Sequence, residues 1–575
     1  MTTLIKQLKT DICVAIEKLF QVKNFDKIIV ESPKNLLNGD LATNAAMVLS
    51  SKIGKTPREI AGMLKEELKR IQYISLIEIA GVGFINFTIK TFTWHQSLTD
   101  IINLTDEYTS STVGIGRKIN IEFVSVNPTG PMHIGHARGG LLGNALANLL
   151  SKCGFEVTKE FYVNDYGHQV DILCKSIFLR YKEAIKKEKI SIPEGYYPGD
   201  YLIPLGEKLT QKYQDKLLSY TEEDKKKITS FAIKEMLNLI KKDLHSIDIN
   251  HDVFFYESSL YKENKVENII NKLIEKDLVY KGSISAPKGK KYDNWQAKEQ
   301  LLFRSSKFGD TQDRPIQKSD GNWSYFASDI AYAQDKIDRG FTDILIILGA
   351  DHTGYIKRIK AIFKALDDKV NVEVKCCQLV NYIKDGTNIK MSKRQGRFAT
   401  LQDILPEIGK EVFKFMMLTR KNDVMYDFDI NKLQEYSKDN PMFYIQYAYV
   451  RTKSIINNLR KQYPEAYDLF YTKNLNFNLL NTEEEINIIK KLALWPMILN
   501  NAVSNFEPHR ITFYLQDVAA QLHSLWNLGK ESNNYRFIVQ DNLILTASRV
   551  SLAQAIANII TVGFNILGIE LEEKM

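Results

Sequence analysis

KINIEFVSVNPTGPMHIGH, residues 118–136, is the stretch that decides the fold. Its first part, residues 118–126, is rich in β-branched side chains and predicts a strand. Residues 141–154 (LLGNALANLLSKCG) then predict a helix that Gly154 stops, and residues 155–163 (FEVTKEFYV) predict a second strand. A strand, a helix and another strand in this order form the unit from which parallel sheets are built.

The loop after the first strand carries two histidines, His133 and His136. In an open parallel sheet, ligands bind beyond the carboxyl ends of strands and close to helix N-termini. Two histidines one helical turn apart can both face a bound triphosphate, and Gly135 leaves room for an adenine ring. The alternatives are a structural histidine pair or a partial zinc site, although the neighbouring sequence supplies no convincing set of further zinc ligands.

A second candidate phosphate site is IKMSKRQG, residues 389–396. Lys390, Lys393 and Arg394 surround the small hydroxyl residue Ser392, which suits a clamp for a pyrophosphate leaving group. A solvated basic loop is the alternative interpretation. Because the two candidate sites lie on opposite sides of one parallel-sheet domain, together they favour an enzyme that forms an adenylate from ATP.

The 575-residue chain is too long for one hydrophobic core, so several domains are expected. Residues 1–110 predict a small α+β domain. In this domain, Thr56, Pro57 and Glu59 predict the capped start of a helix that continues to Arg70. Residues 77–89 predict a strand. Residues 111–436 predict a Rossmann-type parallel-sheet domain, and residues 437–575 predict helices only. The expected fold class is therefore multidomain α/β.

Three further patterns lie within residues 111–436. Residues 175–251 are rich in lysine and glutamate and predict a helical insertion. Strands return at residues 343–349 (DILIILG) and 372–380 (VEVKCCQLV). Asp385 and Gly386 predict a hairpin turn.

Composition excludes some classes and leaves others open. The formal charge of +8 is compatible with a polyanionic partner but does not establish one. The five cysteines contain no C-x-x-C pair, which argues against a zinc site or a disulfide framework and fits a reducing cytosol. Lys6, Lys9 and Asp11 interrupt the N-terminal apolar positions, unlike a secretory signal. Residues 551–569 lack charges, but their helical spacing predicts a buried helix rather than a membrane span.

Longer strings around these residues resemble one known family. H-x-G-H followed by K-M-S-K is the signature pair of class I aminoacyl-tRNA synthetases. EFVSVNPTGPMHIGHARGG, YVNDYGHQ, SYFASDIAY, LGADHTGY and IKMSKRQG resemble arginyl-tRNA synthetases. NGDLATNAAMVLS and GVGFIN are similar to the N-terminal domain of that family, and MFYIQYAYVRTKSI and AAQLHSLWN to its helical anticodon-binding domain. Arg394 departs from the generic class pattern, which has a serine at this position. A basic residue here is, however, similar to what many arginyl-tRNA synthetases have.

The resemblance implies a reaction and its partners. ATP and L-arginine would form an arginyl-adenylate and diphosphate, and the adenylate would then esterify the 3′ end of tRNA(Arg) for protein synthesis. ATP would act as its Mg²⁺ complex, with no zinc. We expect a cytoplasmic monomer with no membrane association. Residues 1–110 would contact tRNA, residues 111–436 would be catalytic, and residues 437–575 would bind the anticodon.

The resemblance also assigns individual residues. The catalytic residues implied are His133, His136, Lys390 and Lys393. The ATP-binding residues implied are His133, Gly135, His136, Met391, Ser392 and Lys393. The arginine-binding residues implied are Glu122, Ser125, Asn127, His136, Tyr325, Asp329 and Asp351. The tRNA-binding residues implied are Asn86, Tyr444, Tyr447 and Arg451.

Chemistry supports the arginine assignments, although alternatives stay open. A guanidinium calls for a coplanar carboxylate, and Asp329 and Tyr325 lie one helical turn apart, so both can face one pocket. Taken alone, Asp329 is equally consistent with an acidic residue on the surface of a helix. The tyrosines near residue 447 are equally consistent with side chains that pack in the core. The rival functions are another class I synthetase, a small-molecule adenylyl or cytidylyl transferase, and an RNA-binding protein without catalysis.

Overall fold

The structure is a computed structural model that describes residues 3–23, 25, 27–33, 35–103, 105–283, 299–318, 321–389, 399–434, 440–473 and 475–574. The chain forms two compact units. Residues 1–112 and 436–575 make up the first, and residues 113–435 make up the second.

The N-terminal part of the first unit combines helices with a small antiparallel sheet. Its elements are α1 (Leu4–Phe20), β1 (Val30–Glu31), β2 (Leu41–Thr43), α2 (Ala45–Ile53), α3 (Pro57–Leu68), β3 (Ile74–Ala80), β4 (Phe84–Ile89), α4 (Thr91–Asn103) and α5 (Thr105–Tyr108). The sheet order is β1-β2-β4-β3. The predicted capping box is confirmed, since the Thr56 hydroxyl accepts from the Glu59 N–H and the Glu59 carboxylate accepts from the Thr56 N–H.

The single strand predicted over residues 77–89 is wrong. The chain turns back there, and β3 and β4 pair antiparallel. Gly81 and Gly83 have φ angles of 53° and 137°, a conformation that glycine adopts without a Cβ clash. A Cβ on Gly83 would also lie 2.7 Å from Pro57 Cβ, so this turn needs glycine for space as well.

The second unit contains the parallel sheet. Its elements are β5 (Lys118–Glu122), α6 (Ile134–Lys152), β6 (Glu156–Val163), α7 (His168–Lys186), α8 (Ile203–Tyr213), α9 (Glu222–His245), β7 (Val253–Tyr256), α10 (Glu257–Lys262), α11 (Lys265–Glu275), β8 (Val279–Gly282), β9 (Gln300–Phe303), β10 (Arg314–Pro315), α12 (Tyr325–Asp338), β11 (Asp343–Gly349), α13 (Ile356–Leu366), β12 (Asn371–Cys377), β13 (Val380–Lys384), β14 (Thr387–Asn388), α14 (Leu401–Ile408), α15 (Lys410–Leu418), β15 (Tyr426–Asp429) and α16 (Ile430–Leu433).

The main sheet is five-stranded and parallel, in the order β12-β11-β5-β6-β7. The predicted unit of β5, α6 and β6 is confirmed, as are the strand at Asp343–Gly349 and the hairpin turn at Asp385. From β5 the chain passes to β6 on one side, and it returns on the other side with β11. This reversal places a crevice at the carboxyl end of β5, where open sheets bind ligands.

The predicted insertion is helical and has a core of its own. Helices α7, α8 and α9 pack around buried apolar side chains such as Ile177, Leu209, Ile228 and Met236. Helix α7 starts at His168, earlier than predicted, and follows directly from the loop after β6.

The C-terminal part of the first unit is helical throughout its described residues. Its helices are α17 (Pro441–Gln462), α18 (Pro464–Tyr471), α19 (Glu483–Ala493), α20 (Trp495–Asn505), α21 (His509–Glu531) and α22 (Leu543–Leu567). Helix α22 is long and apolar enough to cross a membrane, but 72% of its most apolar window is buried within the protein. The prediction of a buried helix in residues 551–569 is therefore confirmed.

A buried ion pair holds α22 against α19. Arg549 Nε donates to Glu485 Oε1 at 2.7 Å, and only 5% and 1% of the two side chains is exposed. Replacing Arg549 by Met should lower the free energy of unfolding by about 3–5 kcal/mol, because it leaves a buried carboxylate without its partner. Urea unfolding followed by circular dichroism measures this change.

The control is the exposed pair between Lys491 and Asp517 in the same helical part, in which 61% of the Asp517 side chain is exposed. Asp517→Asn should change the free energy of unfolding by less than about 1 kcal/mol. Equal effects of the two substitutions would contradict a special role for the buried pair.

Candidate active site

A strained turn ends β5 and shapes the crevice. The strand predicted to reach residue 126 ends at Glu122, because Val124 and Ser125 have positive φ angles of 69° and 38°. This conformation is rare for a β-branched residue and clusters at functional sites. The turn lets Ser125 Oγ donate to Glu122 Oε1 at 3.3 Å and accept from the Tyr162 N–H at 3.0 Å. The Glu122 carboxylate is thereby held at the edge of the sheet.

His133 and His136 lie where the sequence predicts them, at the start of α6. His133 is the N-cap residue, and the two rings stack with their centroids 3.6 Å apart. A Cβ on Gly135 would lie 3.1 Å from the His133 ring. Glycine therefore makes room for the histidine stack itself. The ring pair sits at a helix N-terminus, whose partial positive charge favours anions.

The chain that follows the predicted basic loop lies beside these histidines. Lys390, Met391, Ser392 and Lys393 lie outside the described residues, but their flanks are described. His133 pairs with Thr400 in an isolated antiparallel bridge. Thr400, which follows the predicted loop, therefore lies next to the first signature.

Three carboxylates surround the other side of the crevice. Glu122 ends β5, Glu257 starts α10 directly after β7, and Asp329 lies in the second turn of α12. Glu122 Oε2 accepts from Lys336 Nζ at 2.6 Å, and this lysine is fully buried. Glu257 is 2% exposed, and its carboxylate accepts from the neutral groups Ser328 Oγ at 3.2 Å and, in the favoured orientation of its amide, Asn164 at 3.1 Å.

Burial and neighbouring carboxylates raise the pKa values of two acids in this crevice. Loss of hydration, then the charges of Glu257 and Glu122, raise the pKa of Asp329 to about 7, despite an opposing effect of Arg358. Burial first, and the charge of Asp165 second, raise the pKa of Glu257 to about 7. Carboxylates with pKa values this high near neutral pH indicate a functional site. A cationic ligand would relieve the repulsion between them.

Glu257 is the site residue that sequence reasoning missed. The prediction ended the insertion at residue 251 and did not identify β7, whose four residues, VFFY, follow directly. The signal was nonetheless present. Glu257 is an acid at the carboxyl end of a parallel strand, the place at which open sheets bind ligands.

The remaining candidates for arginine binding differ in how far they are exposed to solvent. Asn127 is partly buried in the loop after β5. Tyr325 opens α12 one turn before Asp329, and 55% of its surface is exposed. The Asp351 side chain is 78% exposed and lies 3.4 Å from His352, and no described contact joins it to the carboxylate cluster.

The predicted tRNA-binding residues lie in the first unit. Asn86 is in β4 and is 5% exposed. On α17, the Arg451 guanidinium lies 4.4 Å from the centre of the Tyr447 ring and 4.7 Å from that of Trp526. Tyr447 is 47% exposed, whereas the Tyr444 ring packs on His523. Tyr447 is thus the exposed aromatic residue of this cluster, and Arg451 is partly buried within it.

Comparison with known proteins identifies the family. The catalytic-domain model of class I tRNA synthetases (R) matches residues 98–458, a DALR anticodon binding domain matches residues 445–575, and an arginyl tRNA synthetase N-terminal domain matches residues 6–89. An arginine–tRNA ligase from Rickettsia prowazekii is 51% identical over 98% of both chains. The chain belongs to the arginyl-tRNA synthetase family.

Solved structures agree on the fold. The arginyl-tRNA synthetases of Thermus thermophilus and Plasmodium falciparum align over the whole length of both chains, with TM-scores of 0.72 and 0.75. Both are only 17% identical to this chain, so they support the architecture rather than individual residues. The chain is thus a multidomain α/β enzyme of class I.

The raised pKa of Asp329 predicts a stability cost that depends on pH. At pH 8 the folded protein holds Asp329 ionised at a cost that the unfolded chain does not have. Asp329→Asn should therefore raise the free energy of unfolding by about 1–3 kcal/mol at pH 8. The gain should shrink as the pH falls from 7 towards 4, because the folded wild type takes up a proton at about 7 and the unfolded chain only near 3.8.

Urea unfolding at pH 8 and pH 5 without ligand provides the measurement. Asp351→Asn is the control, since that carboxylate is exposed and its removal should change stability by less than about 0.5 kcal/mol at either pH. A gain from Asp329→Asn that is the same at both pH values would contradict the proposed electrostatic cost.

Proposed function

We propose that this enzyme, which as a member of its family charges tRNA(Arg) with arginine for protein synthesis, binds the arginine guanidinium between Asp329 and Glu257. The observation that carries the proposal is the pair of desolvated carboxylates whose pKa values are raised to about 7. A guanidinium stays charged at any physiological pH and offers several coplanar donors. It therefore supplies the charge and the geometry that the crevice lacks.

Glu122 has a different role from the other two carboxylates. Lys336 already neutralises it, so it does not compete strongly for the guanidinium. Ser125, which contacts Glu122, lies in the same turn as Asn127. We assign Glu122, Ser125 and Asn127 to the amino-acid head group, whose ammonium then meets an anchored carboxylate. Tyr325 and Asp351 are assigned to the rim of the pocket, since both are exposed.

The phosphates of ATP bind on the histidine side of the crevice. His133 and His136 face the triphosphate, and Gly135 allows their stack at the helix N-terminus. We assign Lys390, Met391, Ser392 and Lys393 to the pyrophosphate side, because Thr400, which follows them in the chain, pairs with His133. ATP enters as its Mg²⁺ complex, and the metal ion belongs to the substrate.

The reaction then proceeds in two steps. The arginine carboxylate attacks the α-phosphate, which breaks the bond to the β-phosphate and releases diphosphate. A hydroxyl of the terminal adenosine of tRNA(Arg) next attacks the arginyl carbonyl, and AMP leaves. No protein nucleophile is required, because positioning and stabilisation of the charge on the phosphates lower both barriers.

The first unit supplies the remaining tRNA contacts. The exposed Tyr447 ring and the Arg451 guanidinium form a surface on which an unpaired base can stack, as single-stranded RNA does on aromatic and arginine side chains. Tyr444 supports this surface from below. Asn86, which is almost buried, contributes mainly through its strand. We expect a monomer that acts in the cytoplasm.

Asp329→Asn tests the guanidinium site. Removing one partner of a buried ion pair costs about 3–5 kcal/mol, so the apparent affinity for arginine should fall by about 150–4000-fold. The KM for ATP should stay within about twofold of wild type. Arginine-dependent pyrophosphate exchange at pH 8, with saturating ATP and tRNA, gives both constants.

Asp351→Asn serves as the matched control and should leave the KM for arginine within about threefold of wild type. Lysine should be a poor substrate of the wild type, because a compact ammonium cannot bridge two carboxylates. If Asp329→Asn leaves the KM for arginine unchanged, Asp329 does not hold the guanidinium and the proposed pocket is wrong.

A further inference from the structure

The helical insertion carries a cleft that the reaction above does not use. Helices α8 and α9 form its walls, and it has a volume of about 770 Å³. The two helices bury their apolar faces against α7, so the cleft lies on the polar side of the insertion. Its lining includes five lysines, namely Lys208, Lys212, Lys226, Lys227 and Lys234.

The carboxylates in this cleft are already neutralised. Lys208 Nζ lies 2.5 Å from Glu235, and Lys227 Nζ lies 2.8 Å from Glu223. The three other lysines form no ion pair with any residue that the structure describes. The cleft therefore has an excess of three positive charges on two facing walls, unlike a solvated helix face on which charges of both signs alternate.

The spacing of the lysines fits an extended anion. Lys226, Ser230 and Lys234 follow one another at intervals of one helical turn along α9. Eight residues of helix separate the two lysines by roughly 12 Å, which is more than the axial rise of about 3.4 Å between successive phosphates of one duplex strand. A single small anion would meet only one of them.

The insertion is also joined firmly to the active-site loop. Tyr201 Oη, just before α8, donates to the Thr129 carbonyl at 2.6 Å. The Met132 N–H donates to Asp243 Oδ2 at 2.9 Å, and Asp243 is 2% exposed near the end of α9. Lys226 lies 17 residues before Asp243 on this helix, or roughly 25 Å along its axis. A ligand that reaches from the site to the cleft must therefore be a macromolecule.

We propose that the cleft between α8 and α9 is a docking surface for the sugar–phosphate backbone of tRNA, held by Lys212, Lys226 and Lys234. This proposal rests on the proposed function, because it takes the partner to be the substrate whose 3′ end enters the active site. Lysines on flexible stems bind phosphates as point charges without reading sequence. The surface thus contributes to affinity for tRNA rather than to the choice of tRNA.

The test replaces Lys212, Lys226 and Lys234 together by Gln, which keeps helix propensity and removes three charges. The control replaces Lys186, Lys187 and Lys189 by Gln, three exposed lysines of the same insertion outside the cleft. Charging is measured with varied tRNA between 50 and 200 mM KCl, salt concentrations at which phosphate contacts weaken strongly. Thermal midpoints of both variants check the fold.

The cleft variant should lose about tenfold or more in kcat/KM for tRNA at low salt, and the slope of log kcat/KM against log salt should become shallower by about 2–3. The control should match wild type, and the KM values for arginine and ATP at saturating tRNA should not change in either. If the triple variant does not fold, the single change Lys226→Gln should lower the slope by about 0.7–0.9. Equal behaviour of cleft and control variants would overturn the proposal and leave the cleft as a solvated face or a site for an acidic protein.

Failure of this proposal can be told apart from failure of the proposed function. If wild type does not charge tRNA(Arg) with arginine, the function is wrong, whatever the cleft does. Filter binding of labelled tRNA then still tests the cleft, because it measures association without catalysis. Unchanged binding and salt slope of the cleft variant in that assay would also overturn the docking surface.

Discussion

The central constraint in this protein is the repulsion between carboxylates that share a desolvated crevice. Glu122 forms an ion pair with Lys336, whereas Asp329 and Glu257 form no ion pair with a described residue and have pKa values raised to about 7. Such an arrangement costs stability in the absence of ligand. It persists in a binding site because the ligand restores the balance of charge, and a permanently cationic guanidinium restores it over the whole physiological pH range.

The parallel sheet makes this arrangement possible. Strands β5 and β7 end at the same edge; Glu122 is the last residue of β5, and Glu257 directly follows β7. The turn at Val124 and Ser125 stores backbone strain and fixes Glu122 through the Ser125 hydroxyl. Phe123 packs over α6, where a Cβ on Gly143 would lie 2.2 Å from the ring. The helix that presents His133 and His136 therefore sits directly on the end of β5, so the nucleotide and amino-acid sides of the crevice adjoin.

The sequence predicts the helices and strands that have strong local signals. It does not predict the turns and strand ends that tertiary contacts determine. The predicted strand–helix–strand unit, the capping box at Thr56 and the buried α22 are all present. The strand expected over residues 77–89 is a hairpin, because two glycines take positive φ angles that apolar periodicity does not encode. The strand expected to reach residue 126 stops at Glu122, because the site imposes an unfavourable turn on a valine and a serine.

The site shows the same division. His133 and His136 follow from a motif, and Asp329 from the spacing of one helix. Glu257 could not be found without recognising the four-residue strand before it as a member of the sheet. Lys336 was beyond sequence reasoning, because a lysine near the end of an amphipathic helix predicts a solvated side chain, and only the packed structure shows it fully buried against Glu122.

Proton release on arginine binding tests the central claim most directly. Titration calorimetry at pH 7, with tRNA present and in two buffers of different ionisation enthalpy, measures the number of protons that leave the protein. Because Asp329 and Glu257 are about half protonated at this pH and must ionise to bind a guanidinium, we predict release of about 0.5–1 proton per arginine, falling towards zero at pH 9. Binding at pH 7 without proton release would show that the crevice holds ordinary ionised carboxylates, and it would contradict the account.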